Sequence, residues 1–328
     1  MIKAGVAGAG HLGKIHLKLL NQSTQYNLVG FYDVDKDNGL RIEKEFGYKF
    51  YENLDDLLGD IDMLDIVSPT LSHHNLALKA IEEDKHIFIE KPIAHTLEEA
   101  REIASALNQK GLKGQVGHVE RFNPAFLAVA DKINQPLFIE THRLAEFNPR
   151  GTDVPVVLDL MIHDLDIILS IVNSPVKEIR SSGVNVISDT PDIANARIVF
   201  ENGCVVNVTT SRISMKNMRK TRVFQKDAYI SIDFLEKKSE VIRMEDAGEI
   251  EPDDFSMILE NAEKKKKKIS FEYPKVEPNN AILEELESFA HSIEKDEVVQ
   301  VPIKDGIKAL KLALDVIDNF AATQIEFK

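Results

Sequence analysis

The chain has 328 residues, enough for two domains, since single hydrophobic cores stop growing below that length. Its composition, 43% hydrophobic and 29% charged, is that of a globular protein, and 40 basic against 54 acidic residues give a formal charge of −14, a surface that repels nucleic acid and anionic membranes. Cys204 is the lone cysteine, which excludes an internal disulfide and a cysteine metal cage. Together with the lack of any apolar run near the ~20 residues needed to span a bilayer, and of a basic-then-apolar leader, it points to a cytoplasmic protein.

In chain order, Ile2 to Ala7 reads as a strand, His11 to Leu20 as a helix and Asn27 to Tyr32 as a second strand. Asp37 to Phe46 is helical, Met63 to Val67 a strand, Ser72 to Asp84 a helix, His86 to Ile89 a strand, Thr96 to Lys110 a helix and Gly114 to His118 a strand. Short apolar strands alternating with amphipathic helices indicate βαβ units and a parallel sheet. Beyond residue 120 the rhythm changes. One long apolar helix, Val156 to Val172, precedes strand-like segments at Val176 to Ile187, Ala194 to Phe200, Cys204 to Ser211, Arg222 to Phe224 and Ala228 to Phe234. These predict a mostly antiparallel sheet with the helix on one face. Two helices, Asn280 to Glu294 and Lys304 to Ala322, close the chain. The run Lys264 to Lys268 reads as a solvated edge or loop that guards against sheet-to-sheet pairing. The expected fold class is α/β, with a Rossmann domain over residues 1–120 and a second α/β domain with a large, mostly antiparallel open sheet over 121–328.

The turn Gly8-Ala9-Gly10-His11-Leu12-Gly13 follows the first strand and opens the first helix. Gly8 permits the tight turn, Gly10 lets the backbone approach a pyrophosphate, and Gly13 allows close helix–strand packing. The helix N-terminus offers N–H groups and partial positive charge to the phosphates. The second strand ends at Asp33, where a carboxylate accepts hydrogen bonds from the adenosine ribose and repels a 2′-phosphate, so the expected cofactor is NAD rather than NADP.

Two further strand ends carry polar turns. Ser68-Pro69-Thr70 leads into a helix that begins His73-His74, and His86 to Ile89 leads into Glu90-Lys91-Pro92. Carboxyl ends of parallel strands face the crevice where ligands bind. A lysine there can bond a substrate hydroxyl and be tuned for proton transfer. Adjacent histidines point in different directions on a helix, so His73 and His74 make no metal pair.

On the long apolar helix, Asp159, His163, Asp166 and Ser170 fall at i, i+4, i+7 and i+11, a single polar line. Burying such groups without partners costs several kcal/mol, roughly 2–7 each. A satisfied core network would meet that demand, and so would a polar active site in which His163 moves a proton beside Asp159. A zinc site lacks a third ligand at suitable spacing, and no metal is expected.

Taken together, Gly8 to Gly13, Ser68-Pro69-Thr70 with His73, Glu90-Lys91-Pro92 and Asp159-x-x-x-His163 resemble the Gfo/Idh/MocA family of NAD(P)-dependent sugar oxidoreductases, along essentially the whole chain. The resemblance implies that Gly8, Gly10, His11, Leu12, Gly13, Asp33, Ser68, Pro69, Thr70, His73, Glu90 and Lys91 hold the cofactor. It also implies that Lys91 and His163 flank the reacting carbon with Asp159 assisting, and that the open sheet serves a homodimer or homotetramer. A narrower resemblance, carried by Gly117 to Pro124, Asp159 to Ile167, Asp192 to Arg197 and Thr210 to Ser214, is to the branch that oxidises the 3-hydroxyl of UDP-N-acetylglucosamine on a route to lipid A. Arg143, Arg150 and Arg212 are the candidates for a diphosphate, whose oxygens suit a guanidinium. The open alternatives are a family dehydrogenase for a free sugar or inositol, and a non-catalytic dinucleotide sensor on the same fold.

Overall fold

The computed structural model describes residues 1–148, 154–246, 256–260 and 266–322, in two units. The first comprises Met1–Phe122 and Asn280–Lys311, the second Asn123–Asn279 and Leu312–Lys328.

In the first unit, β1 (Ile2–Ala7), β2 (Tyr26–Tyr32), β3 (Phe50–Tyr51), β4 (Met63–Ile66), β5 (His86–Glu90) and β6 (Gly114–Gly117) form one sheet in the order β3-β2-β1-β4-β5-β6. Every neighbouring pair is parallel. The connecting helices are α1 (His11–Gln22), α2 (Lys36–Phe46), α3 (Leu54–Asp60), α4 (His73–Glu82) and α5 (Leu97–Lys110). Local signals start them: Asp35 accepts from the Asn38 N–H at the head of α2, and Thr96 and Glu99 form a reciprocal capping box at α5. The short β3 and α3 are absent from the sequence reading, because two strand residues and a seven-residue helix carry too little periodicity to register.

The second unit is built on a nine-stranded sheet of β7 (Phe138–Leu144), β8 (Val176–Val184), β9 (Ile193–Phe200), β10 (Val205–Ser211), β11 (Met218–Phe224), β12 (Ala228–Asp233), β13 (Lys238–Asp246), β14 (Ser256–Glu260) and β15 (Lys266–Glu272). Its order is β14-β15-β13-β12-β11-β7-β10-β9-β8, antiparallel throughout except for the β7–β10 pair. This is the mostly antiparallel open sheet the sequence predicts. The lysine run differs from expectation: residues 264 and 265 lie outside the described residues, and Lys266–Lys268 begin β15, an interior strand and not an edge. Their charge is met across the ladder, where Lys267 pairs with Asp246 at 2.8 Å and Lys268 lies opposite Glu245.

After α6 (Pro124–Leu127), the predicted long helix is a composite of a π segment at Val157–Met161 and the regular α7 (Ile162–Ile171). The last two helices, α8 (Ala281–Glu294) and α9 (Ile303–Asp318), also depart from the reading. Residues 280–311 do not stay with the second unit but return to the first. Leu286, Phe289 and Ala290 of α8 share a core with Ile2, Leu17, Leu20, Phe31 and Phe88. The Tyr26 hydroxyl donates to the Leu286 carbonyl at 2.6 Å, and Gln115 Nε2 donates to the Glu285 carbonyl at 2.7 Å. Periodicity reveals that α8 has an apolar face but not which sheet that face covers. Among the described residues, no helix is long and apolar enough to cross a membrane.

Phe289 is fully buried with its ring 6.2 Å from that of Phe88. Phe289→Ala is expected to destabilise the protein by about 3–5 kcal/mol in urea unfolding. Hydrogen exchange should show the lost protection in β1, β4 and β5, although the substituted residue is far from them in sequence.

Candidate active site

In the first unit the site is built where β1, β4 and β5 end side by side, at the point where the strand order reverses. Gly8 adopts φ +99°, and a Cβ there would lie 2.8 Å from the Ser68 backbone, so the turns after β1 and β4 abut. A Cβ on Gly13 would lie 2.0 Å from the Gly8 carbonyl oxygen, which is the close helix–strand approach the motif requires. Gly10 is different: a Cβ there would meet nothing within 4 Å. It is exposed at the head of α1, which has neither a side-chain cap nor an acidic residue in its first turn. An open glycine beside an uncapped helix N-terminus fits a dinucleotide's pyrophosphate. His11 is exposed at the first position of α1 and Leu12 is half-buried.

Asp33 braces this turn as well as bordering it. Its Oδ2 accepts from the Ala9 N–H at 2.8 Å and from Asn38 Nδ2 at 3.1 Å, and its Oδ1 accepts from the Asp35 N–H at 2.9 Å. A carboxylate has about four acceptor positions, so about one is left for a ribose hydroxyl.

Ser68 and Thr70 are half-buried and Pro69 is exposed; Ser68 Oγ lies 2.6 Å from Ser72 Oγ. His73 is 1% exposed, with Nδ1 3.0 Å from the Pro92 carbonyl oxygen and Nε2 2.8 Å from that of Ser68. Its ring thus sits between the turn after β4 and the turn after β5, where the neutral imidazole donates to one of the two carbonyls, and burial holds its pKa below the ordinary value against the pull of those carbonyls. His74 instead faces outward, against Glu102 at 2.8 Å.

Lys91 is half-buried in a turn whose Lys91–Pro92 peptide is cis. Glu90 is buried, and its Oε2 accepts from the Lys91 N–H at 3.1 Å. Behind Glu90 lie two residues that the sequence reading passed over. His16 of α1 and Asp65 of β4 are both fully buried, with His16 Nδ1 2.8 Å from Asp65 Oδ2 and His16 Nε2 3.4 Å from Glu90 Oε1. The available signal was a carboxylate inside the apolar run Met63-Leu64-Asp65-Ile66-Val67.

In the second unit, Asp159 lies in the π segment and His163 in the first turn of α7, both half-buried. The single polar line predicted for an unbroken α-helix is therefore altered, because the i→i+5 bond from the Ile162 N–H to the Val157 carbonyl widens the turn that carries Asp159. The environments also separate: Asp166 is 1% exposed, while Ser170 is exposed and its hydroxyl bonds the Ile167 carbonyl.

The arginines expected to meet a diphosphate have partners inside the protein. Arg143 is 3% exposed and forks Asp164, with Nε 2.8 Å and Nη2 3.0 Å from its two oxygens. Arg212 is also buried; its Nη2 donates to the Val154 carbonyl and its Nε is 4.0 Å from Asp192 Oδ1. Asp192 in turn accepts the N–H groups of Val186, Ile187 and Ser188, which hold its carboxyl well below the usual range although burial pushes the other way. Arg150 lies outside the described residues.

A glycine turn open to a pyrophosphate, a strand-end carboxylate and a strand-end lysine define a nicotinamide-dependent oxidoreductase. Comparison with known proteins agrees. A family model described as oxidoreductase family, NAD-binding Rossmann fold, matches residues 2–118, and one for the GFO/IDH/MocA C-terminal domain matches residues 114–231. The chain belongs to the Gfo/Idh/MocA family of NAD-binding oxidoreductases. It is 34% identical over 235 residues, 71% of its length and 74% of the relative's, to UDP-N-acetylglucosamine 3-dehydrogenase of Acidithiobacillus ferrooxidans. It is 30% identical over 234 residues, 65% of its length and 68% of the relative's, to scyllo-inositol 2-dehydrogenase (NAD(+)) of Bacillus subtilis. The solved structure of the Acidithiobacillus enzyme superimposes with a TM-score of 0.87 at 28% identity, covering 98% of each chain.

The glycines give a sharp contrast. Gly10→Ala should leave the urea midpoint unchanged, since the methyl meets no protein atom, yet weaken NADH binding by about tenfold in a fluorescence titration. Gly13→Ala should lower the urea midpoint itself, because its methyl collides with the Gly8 carbonyl.

Proposed function

We propose that the protein oxidises a secondary hydroxyl of a sugar to a ketone with NAD, and that the substrate is a UDP-sugar such as UDP-N-acetylglucosamine, oxidised at its 3-hydroxyl. The observation that carries the substrate class is the 34% identity to the Acidithiobacillus UDP-N-acetylglucosamine 3-dehydrogenase, sustained over 71% of the chain. When bound, the nicotinamide supplies the hydride acceptor. The chain's own residues handle the remaining proton. Lys91 bonds the reacting hydroxyl and stabilises negative charge as it develops on that oxygen. Either His163 or Lys91 takes the hydroxyl proton, with Asp159 orienting the imidazole or bonding a sugar hydroxyl. A 3-keto sugar nucleotide is a substrate suited to an aminotransferase, which places the reaction before an amination such as the one on the route to lipid A. The protein works in the cytoplasm as a homodimer or homotetramer.

A second reading, a dehydrogenase for a free sugar or an inositol, is favoured by one observation. Arg143 and Arg212 are buried against Asp164 and Asp192, which removes two of the three arginines expected at a diphosphate.

The deciding measurement is cofactor reduction, followed by absorbance, with a panel of UDP-sugars, free sugars and inositols and either NAD or NADP. Turnover with UDP-N-acetylglucosamine and NAD is expected; turnover with free sugars or inositols and none with any UDP-sugar would overturn the substrate assignment. Lys91→Ala and His163→Ala should each lower kcat by about 10²-fold or more while NADH affinity stays within about threefold. Loss of NADH binding in both variants would mark them as structural.

A further inference from the structure

His16, Asp65 and Glu90 form a charged cluster sealed in the first unit, and no step of the proposed reaction uses it. His16 and Asp65 are each 0% exposed, and Glu90 is 9% exposed. The three come from separate elements, α1, β4 and β5, that converge at the carboxyl end of the sheet. The surroundings are apolar: the Phe88 ring lies 6.0 Å from that of His16, and Leu17 and Leu20 are fully buried on the same helix. A hydrophobic core gains nothing from three ionisable groups, which are expensive to bury even when paired. Asp65 Oδ1 accepts no hydrogen bond among the described residues, so the cluster is not arranged for maximal satisfaction of its polar atoms. What it does provide is a fixed electrostatic environment for Glu90, whose other oxygen holds the backbone of Lys91 at 3.1 Å.

We propose that His16 and Asp65 are positioning residues for Lys91, acting through Glu90 to fix the turn and to set the affinity of the lysine for its proton. An imidazolium between two carboxylates leaves the cluster with one net negative charge beside the Lys91 ammonium. Burial opposes charge on His16, but Asp65 and Glu90 outweigh it and hold the imidazole pKa well above its ordinary value. Burial likewise opposes charge on Glu90, and His16 with Lys91 outweighs it, keeping the carboxyl below the usual range. Two more titratable groups act on the cluster: Tyr26 of β2, which feels Asp65, and His73 of α4, which feels Glu90. Both keep a neutral form through burial, so the net charge rests on the three central groups.

The signs follow from the charges. His16→Gln removes the positive member, leaves more negative charge behind Lys91 and raises the lysine's pKa. Asp65→Asn removes a negative member and lowers it. Each shift should be about one pH unit for a charge at this range in a protein interior. The inference rests on the reading of Lys91 as a catalytic residue, so the readout must be independent of turnover. Lys91 acetylation by acetic anhydride, followed against pH by peptide mass spectrometry on the intact holoenzyme, reports the lysine's titration directly. Leu20→Ala is the control, because it loosens the same core without altering charge. Opposite shifts in His16→Gln and Asp65→Asn, with none in Leu20→Ala, are the expected result. No shift in either charge variant, shifts of the same sign, or an equal shift in the control would overturn the proposal. If the opposite shifts are found but Lys91→Ala retains full turnover, it is the catalytic reading of Lys91 that fails.

Discussion

The closeness of α1 to β1 is the constraint on which the rest of the first unit depends. At Gly13 the helix passes so near the strand that a single methyl would overlap the Gly8 carbonyl. That approach aims the uncapped helix N-terminus along the turn where Gly10 stands open, and Asp33 then locks the turn through the Ala9 N–H. It also fixes what the next helical turn can reach. His16 follows Gly13 by three residues, on the same face of α1, and meets Asp65 on the neighbouring strand. A residue larger than glycine would move the phosphate cradle and the buried cluster together.

Much of this was legible in the sequence, and what was not has identifiable physical reasons. Strands β1, β2, β4, β5 and β6 and helices α1, α2, α4 and α5 follow from alternating runs bounded by turn residues, and the glycine spacing followed by Asp33 locates the dinucleotide turn. Asp33 looked like a ribose ligand, and its service to the Ala9 and Asp35 N–H groups was hidden because backbone partners leave no mark in composition. His16 and Glu90 lie on α1 and β5, far apart in sequence, and only the fold brings them to 3.4 Å. Asp65, a charge within an apolar strand, was the visible anomaly.

In the second unit the long polar stripe was read as an unbroken α-helix, since side-chain periodicity is nearly the same for a helix with one widened turn. The π segment carries Asp159, and the residue that sequence spacing passed over, Asp164, is the one that neutralises Arg143. The arginines attract notice in a sequence because they suit phosphate oxygens, but a guanidinium suits a buried carboxylate equally well. Only the partners decide between the two uses. In Arg143 and Arg212 those partners are Asp164, Asp192 and a backbone carbonyl, so the pair works for the architecture of the sheet and its covering helix.

The return of residues 280–311 to the first unit bears on how the chain is made. During synthesis the parallel sheet emerges from the ribosome first, but the face that Leu286, Phe289 and Ala290 cover stays bare until the intervening residues of the second unit have followed. The first unit is therefore the earlier to begin, yet it is completed only after most of the second unit has been made. Its exposed apolar face over that interval is where a holding chaperone would act during translation.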